Sequence, residues 1–195
     1  MAREEELYDG CDKLVKSMKT RYKGWEGAKQ FSGSTDRLYR LYEEFCWPPT
    51  KIKNEAQKVF KKFEHDFHQM VVGGPWIVHT LCPHHFIVCQ FSVWTAYIPN
   101  KEEGKVVGLS KLARISDIMS RRPILQEQYT EDVARVIMQG LKPEGVAVYV
   151  IGSHGCMTSR GIKQQGKVVT SFVDGCFKSE DATRNEFFAI VRNGK

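Results

Sequence analysis

Thr80-Leu81-Cys82-Pro83-His84-His85-Phe86 is the stretch whose reading decides the fold, and Ser153-His154-Gly155-Cys156-Met157 is its counterpart later in the chain. Cys82 and His85 stand three apart, so one tight turn can aim a sulfur and an imidazole nitrogen at a single ion. Thiolate and imidazole are good zinc donors, and Cys156 makes a third. Three protein ligands leave the fourth tetrahedral position open to water, the arrangement of a catalytic zinc. A Cys-x-x-His pair standing alone is more often two buried side chains. Here two further titratable groups, His84 and His154, lie in the two ligand segments and favour the metal.

Both sides of the first segment read as strands. Residues 70–81 and 86–98 are rich in Val, Ile, Phe, Trp and Thr and flank the Cys-Pro-His-His turn. In the second run Ile87, Cys89, Phe91, Val93 and Tyr97 point one way, and Phe86, Val88, Trp94 and Ile98 the other. Apolar residues on both faces predict a sheet covered by helices on one side and by other protein on the other, a cover that oligomerisation supplies. Residues 101–105 form a charged loop, after which Ser110 caps a helix that buries Leu112, Ile115, Ile118 and Met119 and leaves Lys111 and Arg114 on another face. Arg121-Arg122-Pro123 breaks it, a helix follows over 124–141, and strands over 146–151 and 167–173 precede a last helix over 181–191.

Working back from the turn, the chain is helical. Leu7, Cys11, Leu14, Val15, Met18 and Tyr22 share one face of a helix over 5–23. Ser34 caps a second helix that buries Leu38, Leu41, Tyr42 and Phe45 and stops at Trp47-Pro48-Pro49. A third starts at Asn54 with Val59, Phe60, Phe63 and Phe67 inward. The spacing therefore predicts a helical extension over 1–68 and, over 69–195, the order strand-strand-helix-helix-strand-strand-helix.

Composition bounds the function classes. The 195 residues are 42% hydrophobic and 11% aromatic, enough for a packed core. A net charge of +6 favours an anionic partner. Nucleic acid is disfavoured because the basic residues are dispersed, Lys58, Lys61 and Lys62 read as a solvated helix face, and no finger or single-strand platform occurs. The polar start Met1-Ala2-Arg3-Glu4-Glu5-Glu6 and the lack of an apolar run near about 18 residues predict a cytoplasmic protein away from the membrane. The six cysteines are too scattered for a disulfide scaffold.

Taken together, the motifs resemble the zinc-dependent GTP cyclohydrolase I family, of the tunnelling fold. The resemblance rests on blocks in matching order: Leu81 to His85, Ala96-Tyr97-Ile98-Pro99, Gly108 to Arg114, Arg121-Arg122-Pro123 with Gln126-Glu127, His154-Gly155-Cys156, Arg160-Gly161, Gly175-Cys176-Phe177 and Arg184 to Phe187. It covers residues 66–190 well, and the segment 34–45, with Arg37 and Tyr42, looks like the family's early helix. It implies an α+β fold: an antiparallel four-stranded sheet with two layered helices in the order ββααββ, behind an N-terminal helical extension. Three places depart from the family pattern: Pro83 stands where a glutamate is usual, Gln90-Phe91-Ser92 where a glycine is usual, and a threonine-rich run is thinned to Thr170-Ser171. None touches an implied zinc ligand or phosphate-binding charge, so tuning of activity is expected.

The family reaction implied is hydrolytic opening of GTP at C8, loss of formate and re-closure to 7,8-dihydroneopterin triphosphate. The resemblance assigns zinc to Cys82, His85 and Cys156. It makes His84 the acid that protonates the purine nitrogen beside C8, and His154 a second proton-transfer group. Glu127 accepts from the N1–H and amine edge of guanine, with Gln126 beside it as a substrate contact. Ser110, Lys111 and Arg114 at a helix start, with Arg160 and Arg37, take the triphosphate. The implied assembly is a homo-oligomer, a decamer of two pentameric rings with sites at subunit interfaces. The rival readings are a tunnelling-fold relative acting on another purine nucleotide or stopping at the ring-opened intermediate, and a non-catalytic nucleotide-binding homologue.

Overall fold

The computed structural model describes residues 2–102 and 105–194, so two positions of the charged 101–105 loop lie outside the described residues. The chain divides into two compact units, Met1–Cys46 and Trp47–Lys195.

In the first unit α1 (Ala2–Arg21) packs with α2 (Ser34–Phe45), the two joined through a short 3-10 turn, Glu26–Phe31. Cys11 and Val15 are buried, whereas Leu14, Met18 and Tyr22, on the same expected stripe, stay exposed. Gly33, at φ 70°, occupies the cap position expected of Ser34, which becomes the first helical residue. A left-handed backbone at that point suits glycine and no side chain caps the helix.

In the second unit α3 (Pro49–Val59) begins five residues ahead of the expected Asn54, with Pro49 in its first turn. Proline fits there because its φ is already helical and its missing N–H has no partner in a first turn. The Trp47-Pro48-Pro49 stop is thus also a start. The helix ends at Val59, and Lys62–Glu64 leaves it to form β1, paired antiparallel with β4 (Lys105–Val107). Phe63 and Phe67, expected to face inward on a longer helix, are 47% and 36% exposed.

The main sheet holds β2 (Val71–Leu81), β3 (Val88–Ile98), β5 (Gly145–His154) and β6 (Val168–Gly175) in the order β2-β3-β5-β6, antiparallel throughout. Its first face packs on α4 (Leu109–Ser120) and α5 (Gln126–Leu141): Leu112, Ile115, Tyr129, Val133 and Ile137 join one cluster with Phe91, Val93, Tyr97, Val148 and Val150. On the second face Trp94, Ala96 and Ala147 meet Phe177 of α7 (Cys176–Ser179) and Phe187 and Val191 of α8 (Asp181–Asn193). The cover expected from another protein therefore comes, over this patch, from the chain's own C-terminal helix. Each fully buried phenylalanine there contributes about 2–3 kcal/mol of apolar burial. Among the described residues no helix is long and apolar enough to cross a membrane. The observed order is the ββααββ α+β arrangement of the tunnelling fold.

Register sets up the site. Cys89 lies opposite both Thr80 and His154, Phe91 opposite Gly152, and Val150 opposite Thr170. The end of β2, the start of β3, the end of β5 and the start of β6 thus meet at one end of the sheet.

Candidate active site

Cys82 follows β2 directly. Its N–H donates to the Ile87 carbonyl and its own carbonyl accepts from the Phe86 N–H, both at 2.9 Å, with Phe86 at φ 53°. This back-folded turn places Cys82 Sγ 3.5 Å from His85 Nδ1 and 3.9 Å from His84 Nδ1. The third donor, the Cys156 thiol, comes from α6 (Gly155–Thr158), which begins where β5 ends. A Cβ on Gly155 would lie 2.4 Å from the Val88 carbonyl oxygen, so only glycine lets this helix start sit against β3.

The donor atoms of Cys82, His85 and Cys156 all lie within 4.8 Å of one another. Tetrahedral zinc, with bonds of about 2.3 Å to sulfur and 2.0–2.1 Å to nitrogen, requires donors roughly 3.5–3.8 Å apart. The Cys82–His85 separation already has that value, and two thiols with one imidazole suit the ion. Cys82 is buried, Cys156 half-buried and His85 exposed, which leaves the cluster open on one side.

A cleft of about 190 Å³ adjoins the cluster, with His84, Gln126, Glu127, His154 and Cys156 in its wall. Glu127 is exposed in the first turn of α5. Burial pulls the His154 imidazole below its ordinary value, against the opposing pull of the Glu127 charge. Burial, then the hydrogen bond and charge of Cys82, push the Cys156 thiol up, while Arg160 draws it down. Cys89, beside both sulfurs, is pushed up to about 11, chiefly by burial.

Gln126, expected against the substrate, is 2% exposed. Its Nε2 lies 3.1 Å from the Val168 carbonyl and from Thr170 Oγ1, and its Oε1 lies 2.8 Å from His154 Nε2. Cys89, not singled out as a site residue in the sequence, has its sulfur 3.5 Å from His154 Nδ1. Strand alternation already turned Cys89 inward, but its pairing with His154 depends on a register 65 positions long in sequence.

Lys111 and Arg114 are not in the wall of the metal-competent cleft. Lys111 and Arg114 line a second groove, about 640 Å³, with Lys58, Trp47 and Trp76. Ser110 is exposed at the same helix start. Arg160 lies exposed just beyond α6. Arg37 belongs to the first unit, where its guanidinium donates to the Ser32 carbonyl at 3.2 Å.

Sheet, helix pair and metal-competent cleft define a tunnelling-fold enzyme. Residues 20–192 match the family profile described as GTP cyclohydrolase I. The chain is 40% identical over 162 residues to GTP cyclohydrolase 1 of Thermoanaerobacter pseudethanolicus, covering 82% of this chain and 84% of that protein. With the protein of that name from Pelotomaculum thermopropionicum it shares 41% over 169 residues, 86% of each, and with that from Acetivibrio thermocellus 42% over 161 residues, 82% and 83%. The chain belongs to the GTP cyclohydrolase I family, and it is an enzyme of that general, hydrolytic type. Among solved structures, the archaeosine synthase QueF-Like in the apo form aligns over 52% of this chain and 91% of that one, with 24% identity and a TM-score of 0.41.

Proposed function

We propose that the protein hydrolyses GTP at C8, releases formate and recloses the product to 7,8-dihydroneopterin triphosphate, with one zinc ion held by Cys82, His85 and Cys156. The observation that carries this reading is the convergence of those three donors beside a cleft walled by His84, Glu127 and His154. When bound, zinc supplies a Lewis acid that brings the ionisation of water toward neutral pH.

The chain's own groups do the rest. His84 adjoins Cys82, is solvent-open, and donates a proton to the purine nitrogen next to C8, so that the ring carbon becomes electrophilic. Glu127 is carboxylate-bearing and exposed at the cleft, where it accepts from the guanine N1–H and amine together. His154 handles protons in the later steps. Ser110, Lys111 and Arg114 at the start of α4, with Arg160 and Arg37, hold the triphosphate. The catalytic fold is assigned to residues 69–195, with 1–68 as a helical extension.

The site is completed by a neighbouring copy. A cleft of about 190 Å³ falls below the roughly 300–1,000 Å³ usual for small-molecule sites. The groove bearing Lys111 and Arg114 is a different place on the same chain. Both facts support subunit-interface sites in a homo-oligomer, and the family resemblance makes that a decamer of two pentameric rings.

The test is a GTP turnover assay that follows formate and pterin fluorescence, with and without chelator. Chelation is expected to abolish pterin formation, and His84→Ala to lower it by at least about 10²-fold. Accumulation of a ring-opened product without pterin, or undiminished turnover by metal-free protein, contradicts the reading.

A further inference from the structure

The hydrogen bonds behind the cleft wall have a fixed direction. Thr130 Oγ1 donates to the Gln126 main-chain carbonyl at 2.7 Å, and with its hydrogen spent it accepts from Thr170 Oγ1 at 2.6 Å. Thr170, its own hydrogen spent, accepts from Gln126 Nε2 at 3.1 Å. The same Nε2 faces the Val150 and Val168 carbonyls at 3.3 and 3.1 Å, which can only accept. A flipped amide would set its oxygen against three acceptors in a buried place, so the nitrogen belongs there.

The amide oxygen is thereby aimed at His154 Nε2, 2.8 Å away. An amide oxygen has no hydrogen to give, so this contact is a hydrogen bond only when His154 carries its hydrogen on Nε2. The other ring nitrogen, Nδ1, faces Cys89 Sγ at 3.5 Å, and Cys89 is 1% exposed. Gly152 makes the room. A Cβ there would lie 2.0 Å from Gln126 Oε1 and 3.0 Å from His154 Nε2.

We propose that Gln126, backed by Thr130 and Thr170, is a positioning residue that locks His154 in the tautomer with its hydrogen on Nε2. The Nε2 hydrogen is then committed to Gln126 Oε1, and Nδ1, held against a buried thiol, is left as the ring's basic nitrogen. This rests on the assignment of His154 to proton transfer, but the tautomer itself does not depend on turnover. The thinned threonine run acquires a task here, because Thr170 is the one member that the Gln126 amide needs.

The experiment is ring ¹⁵N NMR of the full-length, ¹⁵N-histidine-labelled protein at about pH 8, where imidazole is ordinarily neutral. The His154 signals are identified by their loss in His154→Gln. The native ring is expected to give a protonated-type Nε2 and an unprotonated-type Nδ1. Gln126→Met keeps the length but removes the acceptor, and Gly152→Ala displaces the amide. Each should shift the ring toward a mixture of tautomers. Gln126→Met should also lower kcat at least about tenfold with the KM for GTP changed less than about threefold, the pattern of a lost transition-state interaction. A native ring protonated on Nδ1, an unmoved tautomer in Gln126→Met, or a raised KM with kcat intact, as direct substrate binding would give, overturns the proposal. A protein with the expected ring spectrum but no action on GTP would instead refute the functional reading.

Discussion

Pro83 sits inside a turn closed by two backbone bonds, Cys82 N–H to Ile87 and Phe86 N–H to Cys82, and neither needs its nitrogen. Its ring restricts the unfolded chain at no cost to those bonds. Pro83→Glu should therefore lower stability by about 0.4–1 kcal/mol in denaturant unfolding, with pterin formation retained. Loss of turnover in this variant would mean that the proline does more than stiffen the turn. At this scale the clustering of Cys82, His85 and Cys156 was legible in the sequence, since Cys82 and His85 are neighbours on one turn and Cys156 belongs to a segment of the same chemical character. The orientation of Gln126 was not. It depends on Thr170 pairing across from Val150 and on the empty space at Gly152, neither of which is local.

Among the elements, strand alternation and helix periodicity located every strand of the main sheet and both helices of its first face. They failed where a local signal had two meanings. Proline before α3 was read as an ending when it also begins a helix, and the part of the outer face of β3 around Trp94 was read as awaiting other protein when α8 lies over it. Phe187, fully buried between Phe177 and Phe188, is the centre of that cover. Phe187→Ala should cost about 3–5 kcal/mol, by the loss of buried area and the cavity left behind. Denaturant unfolding checks this, and a cost under about 1 kcal/mol would show that α8 is not a structural layer of the sheet.

For the molecule as a whole, the proposed site draws on two separate places of one chain, the metal-competent cleft and the Lys111–Arg114 groove. Chains bearing His84→Ala and chains bearing Lys111→Ala should each be nearly inactive alone. Co-assembled in equal amounts, they should regain roughly a quarter of native turnover if the halves come from different subunits of a symmetric oligomer. No recovery in mixed oligomers would place both halves on one chain. All of this depends on the ion. Zinc content and zinc-edge X-ray absorption of the active protein test it most directly. The expected result is about one zinc per chain, with two sulfurs near 2.3 Å and nitrogen or oxygen neighbours near 2.0–2.1 Å, lost together with turnover in Cys156→Ser. A fully active protein without zinc, or zinc bound without sulfur, would contradict it.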